Sequence, residues 1–254
     1  MRSSSNRALP SQRLGHAIIH LQQTTSTNDV ARDMARRGAP DGALVLADAQ
    51  TAGRGRRGRA WNAPAGQCLL CSLILRPALA PARATRLTML AAVAIARAIL
   101  ALGLPAVLKW PNDILINGRK AGGILTEAQT LGDKLEHVIV GLGINVNVSA
   151  GGLTALAPRA TSLLAEGGQP VEREHLLRLL LAEMEAPYLA MTRDGGEAVF
   201  QEWRVLLETL GRDVHVTTDS DVIEGRAEDV DGDGALLVRQ TGGQLVRVSA
   251  GDVS

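Results

Sequence analysis

Residues 53–59 read GRGRRGR, four arginines and three glycines with no carboxylate among them. The stretch lies between an apolar run at 43–47 and Trp61, so the chain leaves a strand, forms a strongly cationic loop and returns. A merely solvated charge run has no need of glycine at each break. Glycine reaches positive φ and brings backbone N–H groups close to a ligand, while arginine supplies planar donor forks that match carboxylate and phosphate. The loop is suited to wrapping an anion. Lacking apolar anchors, it is expected to be mobile until a ligand orders it.

The chain holds 27 basic and 26 acidic residues. Four of the basic ones sit in this loop, and without them the balance turns acidic by three. A nucleic-acid binder would show a basic face and stacking aromatics, yet Phe200 and Tyr188 are alone of their kind. Duplex binding loses ground on both counts. At 254 residues and 46% hydrophobic content, the chain can bury a full core, in one large domain or in a large and a small one. Cys68 and Cys71 form a CxxC inside the apolar run 68–75. On a strand they face opposite ways, which rules out a shared metal or a disulfide and leaves two core residues. With no secretory segment after Met1 and no long uncharged apolar stretch, a cytoplasmic protein is expected.

Along the chain, residues 1–10 read as a flexible leader and 14–21 as a first strand. The run TTSTND at 24–29 leads into a helix that stops at Gly38 and Pro40. Strands follow at 43–47 and 68–75, then the strongest helix, 84–102, with Thr85 as its cap. Asn117-Gly118 suits a type I′ turn and joins strands 114–116 and 119–126. A further strand, 135–140 with 141–148, is interrupted by Gly141 and Gly143, the sequence is irregular to Pro158, and helices resume at 171–191 and 197–210. From 211 onward short alternating runs at 214–217, 222–227, 235–239 and 245–248 suggest a small β-barrel. The expected fold is α+β: a mixed sheet with helices packed on it over 1–210, and a barrel over 211–254.

Several motifs reduce to simpler readings. Gly53, Gly55 and Gly58 satisfy GxGxxG, but the dinucleotide fingerprint needs a helix to start there and RAWNAPAG cannot supply one. Asp229, Asp231, Asp233 and Gly234 imitate half of an EF-hand, yet Gln240 stands where the bidentate Glu belongs. His16 and His20 lack a third ligand for zinc. KWPND at 109–113 and GRKAGGILTE at 118–127 do not reduce so easily. With the arginine loop they specify a cation-lined pocket edged by Asp113 and Glu127.

These stretches resemble the biotin protein ligase family. The matching pieces are STN at 26–28, QTAGRGRRGRAW at 50–61, KWPNDI at 109–114, GRKAGGILTE at 118–127 and GLGINVN at 141–147, in the family's order. The resemblance implies a biotin/lipoate ligase catalytic domain of class II synthetase type, an SH3-like C-terminal barrel, ATP and biotin as ligands, Mg²⁺, and a biotin carboxyl carrier protein as partner. It implies that Ser26, Thr27, Asn28 and Gln50 meet the biotin rings. Gly53, Arg54, Arg56 and Lys120 would hold the biotin carboxylate and adenylate phosphate, with Gly55, Arg59 and Gly122 in the same binding set. Trp61, Asn112, Ile144 and Asn145 fall on the ATP side, Gly141 and Gly143 floor the biotin pocket, and Asp113 assists the second step. Arg56, Lys109, Asp113 and Lys120 form the catalytic set, with no protein-held metal. A weak homodimer is implied, and too few residues precede STN for the family's DNA-binding domain, so the monofunctional form is expected, without DNA or membrane partners. A lipoate ligase or octanoyl transferase of the same fold is the nearest alternative, and a non-catalytic nucleic-acid module a more distant one.

Overall fold

Strands β1 (Ile18–Thr24), β2 (Leu44–Gln50), β3 (Cys68–Leu75), β4 (Ala106–Lys109), β5 (Asp113–Ile116), β6 (Arg119–Leu131) and β7 (Lys134–Asn145) build a mixed sheet. Their order is β1-β2-β3-β7-β6-β5-β4. Strands β1 and β2 run parallel and the remaining neighbours antiparallel. The computed structural model describes residues 13–157 and 159–254; the expected leader and Pro158 lie outside them.

The helices are α1 (Thr27–Arg36), α2 (Thr85–Ala101), α3 (Ala150–Leu156), α4 (Leu163–Gly167), α5 (Arg173–Asp194) and α6 (Glu197–Leu206). Ala31 and Ala35 of α1 pack on Val45, Ile74 and Ile139. Helices α2, α5 and α6 cover the other face with the main core. Because both faces are covered, every residue of β3 is buried. Its cysteines part as period 2 demands: Cys71 joins the main core and Cys68 a small cluster with Leu70 and Val148. Burial pushes both thiols up to about 12, so neither is a thiolate at neutral pH.

Residues 81–101 are long and apolar enough to cross a membrane by length and composition, against the expectation from sequence. Two-thirds of that stretch is buried inside the molecule instead. Asn117 and Gly118 both have positive φ, 51° and 72°, which is the type I′ geometry expected between β5 and β6.

A second sheet holds β8 (Asp213–Thr217), β9 (Val222–Val230), β10 (Leu236–Arg239), β11 (Leu245–Val248) and β12 (Asp252–Val253) in the order β11-β10-β9-β8-β12. It is antiparallel throughout, and its five strands are consistent with the SH3-like domain expected for this end of the chain. Trp110, 2% exposed, fastens it to the first sheet by donating its indole N–H to Gly234 O at 2.9 Å. The Asp/Gly segment at 229–234 ends β9 and turns towards β10, with Arg247 paired to Asp231 and Asp233.

Other expectations need correction. The first strand begins at Ile18, since Leu14 and Gly15 precede it in a turn. Gly141 and Gly143 do not interrupt β7, because β3 and β6 flank it and pair with both glycines. The supposedly irregular stretch after β7 contains α3, whose start Ser149 caps by accepting from Gly152 N. Thr85 is not a cap; its hydroxyl donates to Asp233 O.

Candidate functional site

The first turn of α1, the end of β2, the arginine loop, the β4–β5 turn and the middle of β6 and β7 meet around a cavity of about 420 Å³. Arg54, Arg56, Lys109 and Lys120 share it. So do Ser26, Thr27, Asn28, Gln50, Gly55, Arg59, Trp61, Asn112, Asp113, Gly141, Gly143 and Asn145. Gly53, Gly122 and Ile144 stand behind the wall. Ile144 is fully buried in the core and Gly122 pairs with it on the same face, whereas Gly123 and Gly143 turn to the cavity. Gly53 closes the loop instead: its carbonyl accepts from Trp61 N at 2.8 Å.

The loop is a small hairpin with Arg54 bridged to Ala60. Its anchors are not apolar, as foreseen, but its arginines provide others. Arg54 reaches Asp29 at 2.7 Å and Glu127 at 3.2 Å. Arg56 donates to Asn112 Oδ1 at 3.1 Å. Arg57 and Arg59 both pair with Asp252 on β12.

KWPND forms the tight connection between β4 and β5, where Lys109 is the register partner of Asp113. Asn112 secures it by donating to Ile124 O at 2.6 Å. Lys120 lies one register step beyond the β5–β6 turn and donates to Asp113 Oδ1 at 2.6 Å. The second carboxylate foreseen at the rim, Glu127, sits behind the wall, and Asp252 lines the cavity in its place.

Arg54, Arg56, Arg59, Lys109, Lys120 and Arg159 face the cavity against Asp113 and Asp252. Lys109 and Arg159 have no ion-pair partner among the described residues, and Arg56 has only a neutral one. Burial lowers the Lys109 ammonium below its ordinary range, with Asp113 opposing and Arg159 and Lys120 reinforcing. Burial likewise lowers the Arg56 guanidinium, again against Asp113. An excess of partly dehydrated cations favours an anion with several charges.

Two predicted contact residues spend their amides inside the protein. Asn28, 3% exposed, donates to Glu127 and to Leu125 O and accepts from Ser72. Asn145 donates to Thr161 O at 3.0 Å. Both brace the wall. Gly141 and Gly143 make room for their neighbours: a Cβ on Gly143 would lie 2.6 Å from the Trp61 ring, and one on Gly141 would collide with Asn28. Trp61 Nε1 is buried against Gly143 of β7 without a hydrogen-bond partner among the described residues, so the indole has its ring to offer the cavity.

Sequence reasoning missed Arg159 and Asp252. The backbone of 159–161 pairs with Lys120, Lys120 N donating to Arg159 O and Thr161 N to Lys120 O, each at 2.8 Å. That contact delivers Arg159 from a distant segment and leaves no local trace.

Residues 20–145 match the Biotin/lipoate A/B protein ligase family, and residues 209–254 match the Biotin protein ligase C terminal domain. The chain is 36% identical over 247 residues to the bifunctional ligase/repressor BirA of Bacillus spizizenii, covering 96% of this chain and 76% of that protein. It is 37% identical over 232 residues to the biotin–[acetyl-CoA-carboxylase] ligase of Paracoccus denitrificans, covering 89% and 95%. Its fold superposes on the biotin protein ligase from Aquifex aeolicus in complex with biotin and ATP with a TM-score of 0.78 at 25% identity, covering 94% and 97%. With a family match at each end, and relatives alike over nearly the whole chain, this protein belongs to the biotin protein ligase family.

Proposed function

We propose that the chain joins biotin to ATP as biotinyl-5′-AMP with release of pyrophosphate, and then transfers the biotinyl group to one lysine of a biotin carboxyl carrier domain. The observation that carries this reading is the convergence of Arg54, Arg56, Lys109 and Lys120, from three separate stretches, on one cavity whose less charged end is walled by Thr27, Gln50 and Gly141.

In the first step a biotin carboxylate oxygen attacks the α-phosphorus of ATP, and the bond to the bridging oxygen breaks with the electron pair leaving on pyrophosphate. Two like charges ~4 Å apart at an effective dielectric near 20 repel by about 4 kcal/mol. Arg54, Arg56 and Lys120 offset that cost at the joining atoms, and Lys109 meets charge building on the leaving group. The described residues hold no cluster of three or more His, Cys, Asp or Glu side chains that could bind a metal, so Mg²⁺ would enter with ATP and would neutralise phosphate charge alongside these cations. Trp61 offers its ring to the adenine side.

In the second step the acceptor amine attacks the anhydride carbonyl and AMP departs. A free lysine has a pKa near 10.4, so a base is required. Asp113 Oδ1 holds Lys120, which leaves Oδ2 to accept the proton. The loop, pinned across the cavity, keeps water from the anhydride. The same reading makes the chain a cytoplasmic enzyme and a weak homodimer, organised as domains 1–210 and 211–254. Its protein partner is then a carboxylase subunit or domain, with no part for DNA or membranes.

Biotin-dependent exchange of labelled pyrophosphate into ATP tests the proposal. Exchange with biotin and none with lipoate supports it; the reverse pattern ends it.

A further inference from the structure

Glu127 ends the GRKAGGILTE motif, stands off the cavity wall and has no part in the chemistry above. Its carboxylate is nevertheless crowded with donors. Oε1 accepts from Arg32 Nη2 at 2.7 Å, Arg54 Nη2 lies 3.3 and 3.2 Å from the two oxygens, and Oε2 accepts from Asn28 Nδ2 at 2.7 Å. Asp29 takes a further bond from each of the same arginines, at 2.8 and 2.7 Å.

A carboxylate only accepts, and this fixes the direction of the bonds behind it. Asn28 must turn its NH₂ to Glu127, so its Oδ1 faces Ser72 and has to accept from Ser72 Oγ, at 2.6 Å. The single Ser72 proton is then spent. Thr27 Oγ1, 2.8 Å from Ser72 Oγ, can no longer receive it. Gln50 Oε1 is consumed by Thr27 N at 2.7 Å and lies 3.1 Å from Thr27 Oγ1. Its Nε2 has no acceptor among the described residues. The wall therefore presents a fixed pattern: NH₂ donors from Gln50, aimed by the Thr27 backbone, and an accepting oxygen from Thr27, set through Ser72 and Asn28. A ureido group, one carbonyl flanked by N–H groups, is its complement.

We infer that Glu127 is a positioning residue that sets, through Asn28 and Ser72, the donor–acceptor pattern of the ring subsite while tethering Arg54 of the loop. The two ends of one substrate are thereby referred to a single carboxylate. The inference rests on the biotin reading and names the device that would enforce it. Its chemical signature is selectivity. In 2-iminobiotin an N–H replaces the ureido oxygen, so a wall of fixed donors discriminates against it, and a wall with free rotors does not.

The test compares kcat/KM for biotin and for 2-iminobiotin in pyrophosphate exchange, with the rate at which trypsin cuts the arginine loop. Glu127→Gln keeps the shape but turns a donor towards Asn28 or towards the arginines. It should lower the biotin to iminobiotin ratio at least tenfold and speed loop cleavage several-fold. Ser72→Ala breaks the ring-side arm alone; it should lower the ratio and leave cleavage at the wild-type rate. Thermal melts establish that each variant is folded, and if Glu127→Gln is not, Ser72→Ala carries the selectivity test. An unchanged ratio in folded variants, even with both substrates slowed in parallel, would assign Glu127 to packing and overturn the inference. Wild-type protein without biotin-dependent exchange would instead remove the biotin reading itself.

Discussion

Arg57 Nη1 donates to Asp252 Oδ2 at 3.1 Å, joining the arginine loop to the last strand of the second sheet across 195 positions of sequence. Arg57 also donates to Thr217 O at 2.9 Å and pairs with Asp219, and its φ of 54° is in the left-handed region. A non-glycine residue holds that conformation when its surroundings over-determine it. Single exposed ion pairs contribute about 0.2–1 kcal/mol, and here Arg57 and Arg59 share Asp252. Asp252→Asn should therefore make the closed loop several-fold less populated. The readout is loss of labelled biotinyl-AMP from the enzyme, several-fold faster than wild type. High salt should produce the same change in the unaltered protein. Retention identical to wild type would separate the second sheet from loop closure.

Arg56 has one partner, the neutral Asn112 Oδ1, so its charge is available for the anhydride. Arg56→Gly removes that charge and frees the backbone at one position. Biotinyl-AMP should escape and biotinylate unrelated proteins at their surface lysines, visible as many streptavidin-reactive bands. Clean labelling of a carrier alone would remove Arg56 from intermediate retention.

Lys120 is half exposed to the cavity and bonded to Asp113 at 2.6 Å. Lys120→Ala deletes a cation from the joining atoms and releases Asp113. Adenylate formation should fall by two orders of magnitude or more, about 2.7 kcal/mol of lost transition-state stabilisation. Transfer from supplied biotinyl-AMP should fall less. Wild-type pyrophosphate release is the outcome that would rule out the role.

Much of the frame was legible because local rules suffice for it. The run CLLCSLIL leaves no choice but a doubly covered strand, and Asn117-Gly118 marks its hairpin by turn chemistry alone. Helix α3 was hidden because Gly151 and Gly152 sit in its first turn, where a capping serine outweighs poor propensity. The cationic members of the site were legible as charges that a core rejects. Arg159 and Asp252 were not, since each is delivered by a contact between distant segments. Gly122 and Ile144 could have been set aside from sequence: once Gly141 and Gly143 face the ligand, period 2 sends Ile144 the other way. The inward amides of Asn28 and Asn145 depend on which neighbour supplies the acceptor, and only the packed sheet decides that.

Gly143 faces Trp61 so closely that a Cβ would lie 2.6–2.8 Å from indole atoms. Gly143→Ala must displace the ring or the strand, and such overpacking costs about 1–3 kcal/mol. Because β7 is held on both sides by β3 and β6, the indole yields first. KM for ATP should rise about tenfold with little change in KM for biotin, measured by pyrophosphate exchange at varied substrate. An equal rise in both would show that the strand moved instead.

His137 supplies a pH test independent of activity. It lies on β7, 1% exposed, with no hydrogen bond to Nδ1 among the described residues and Glu136 Oε2 3.8 Å from it. Burial lowers its pKa; Glu136 opposes this, and Arg76, Arg36 and Arg32 add to it. The unfolded chain takes up this proton near pH 6.5, whereas the fold resists until a lower pH. Above 6.5 both states are neutral and nothing is lost. As pH falls from 6.5 towards the depressed folded value, the unfolded state gains a proton that the native state refuses, and stability declines by up to about 1.4 kcal/mol per pH unit. Melting temperatures at pH 7.5, 6.0 and 5.0 should fall in wild type and fall less in His137→Gln, which cannot titrate. Parallel decline in both proteins would place the acid sensitivity elsewhere, since the carboxylates held low by arginines, Asp48, Asp229 and Asp231, lose their contribution only below about pH 4.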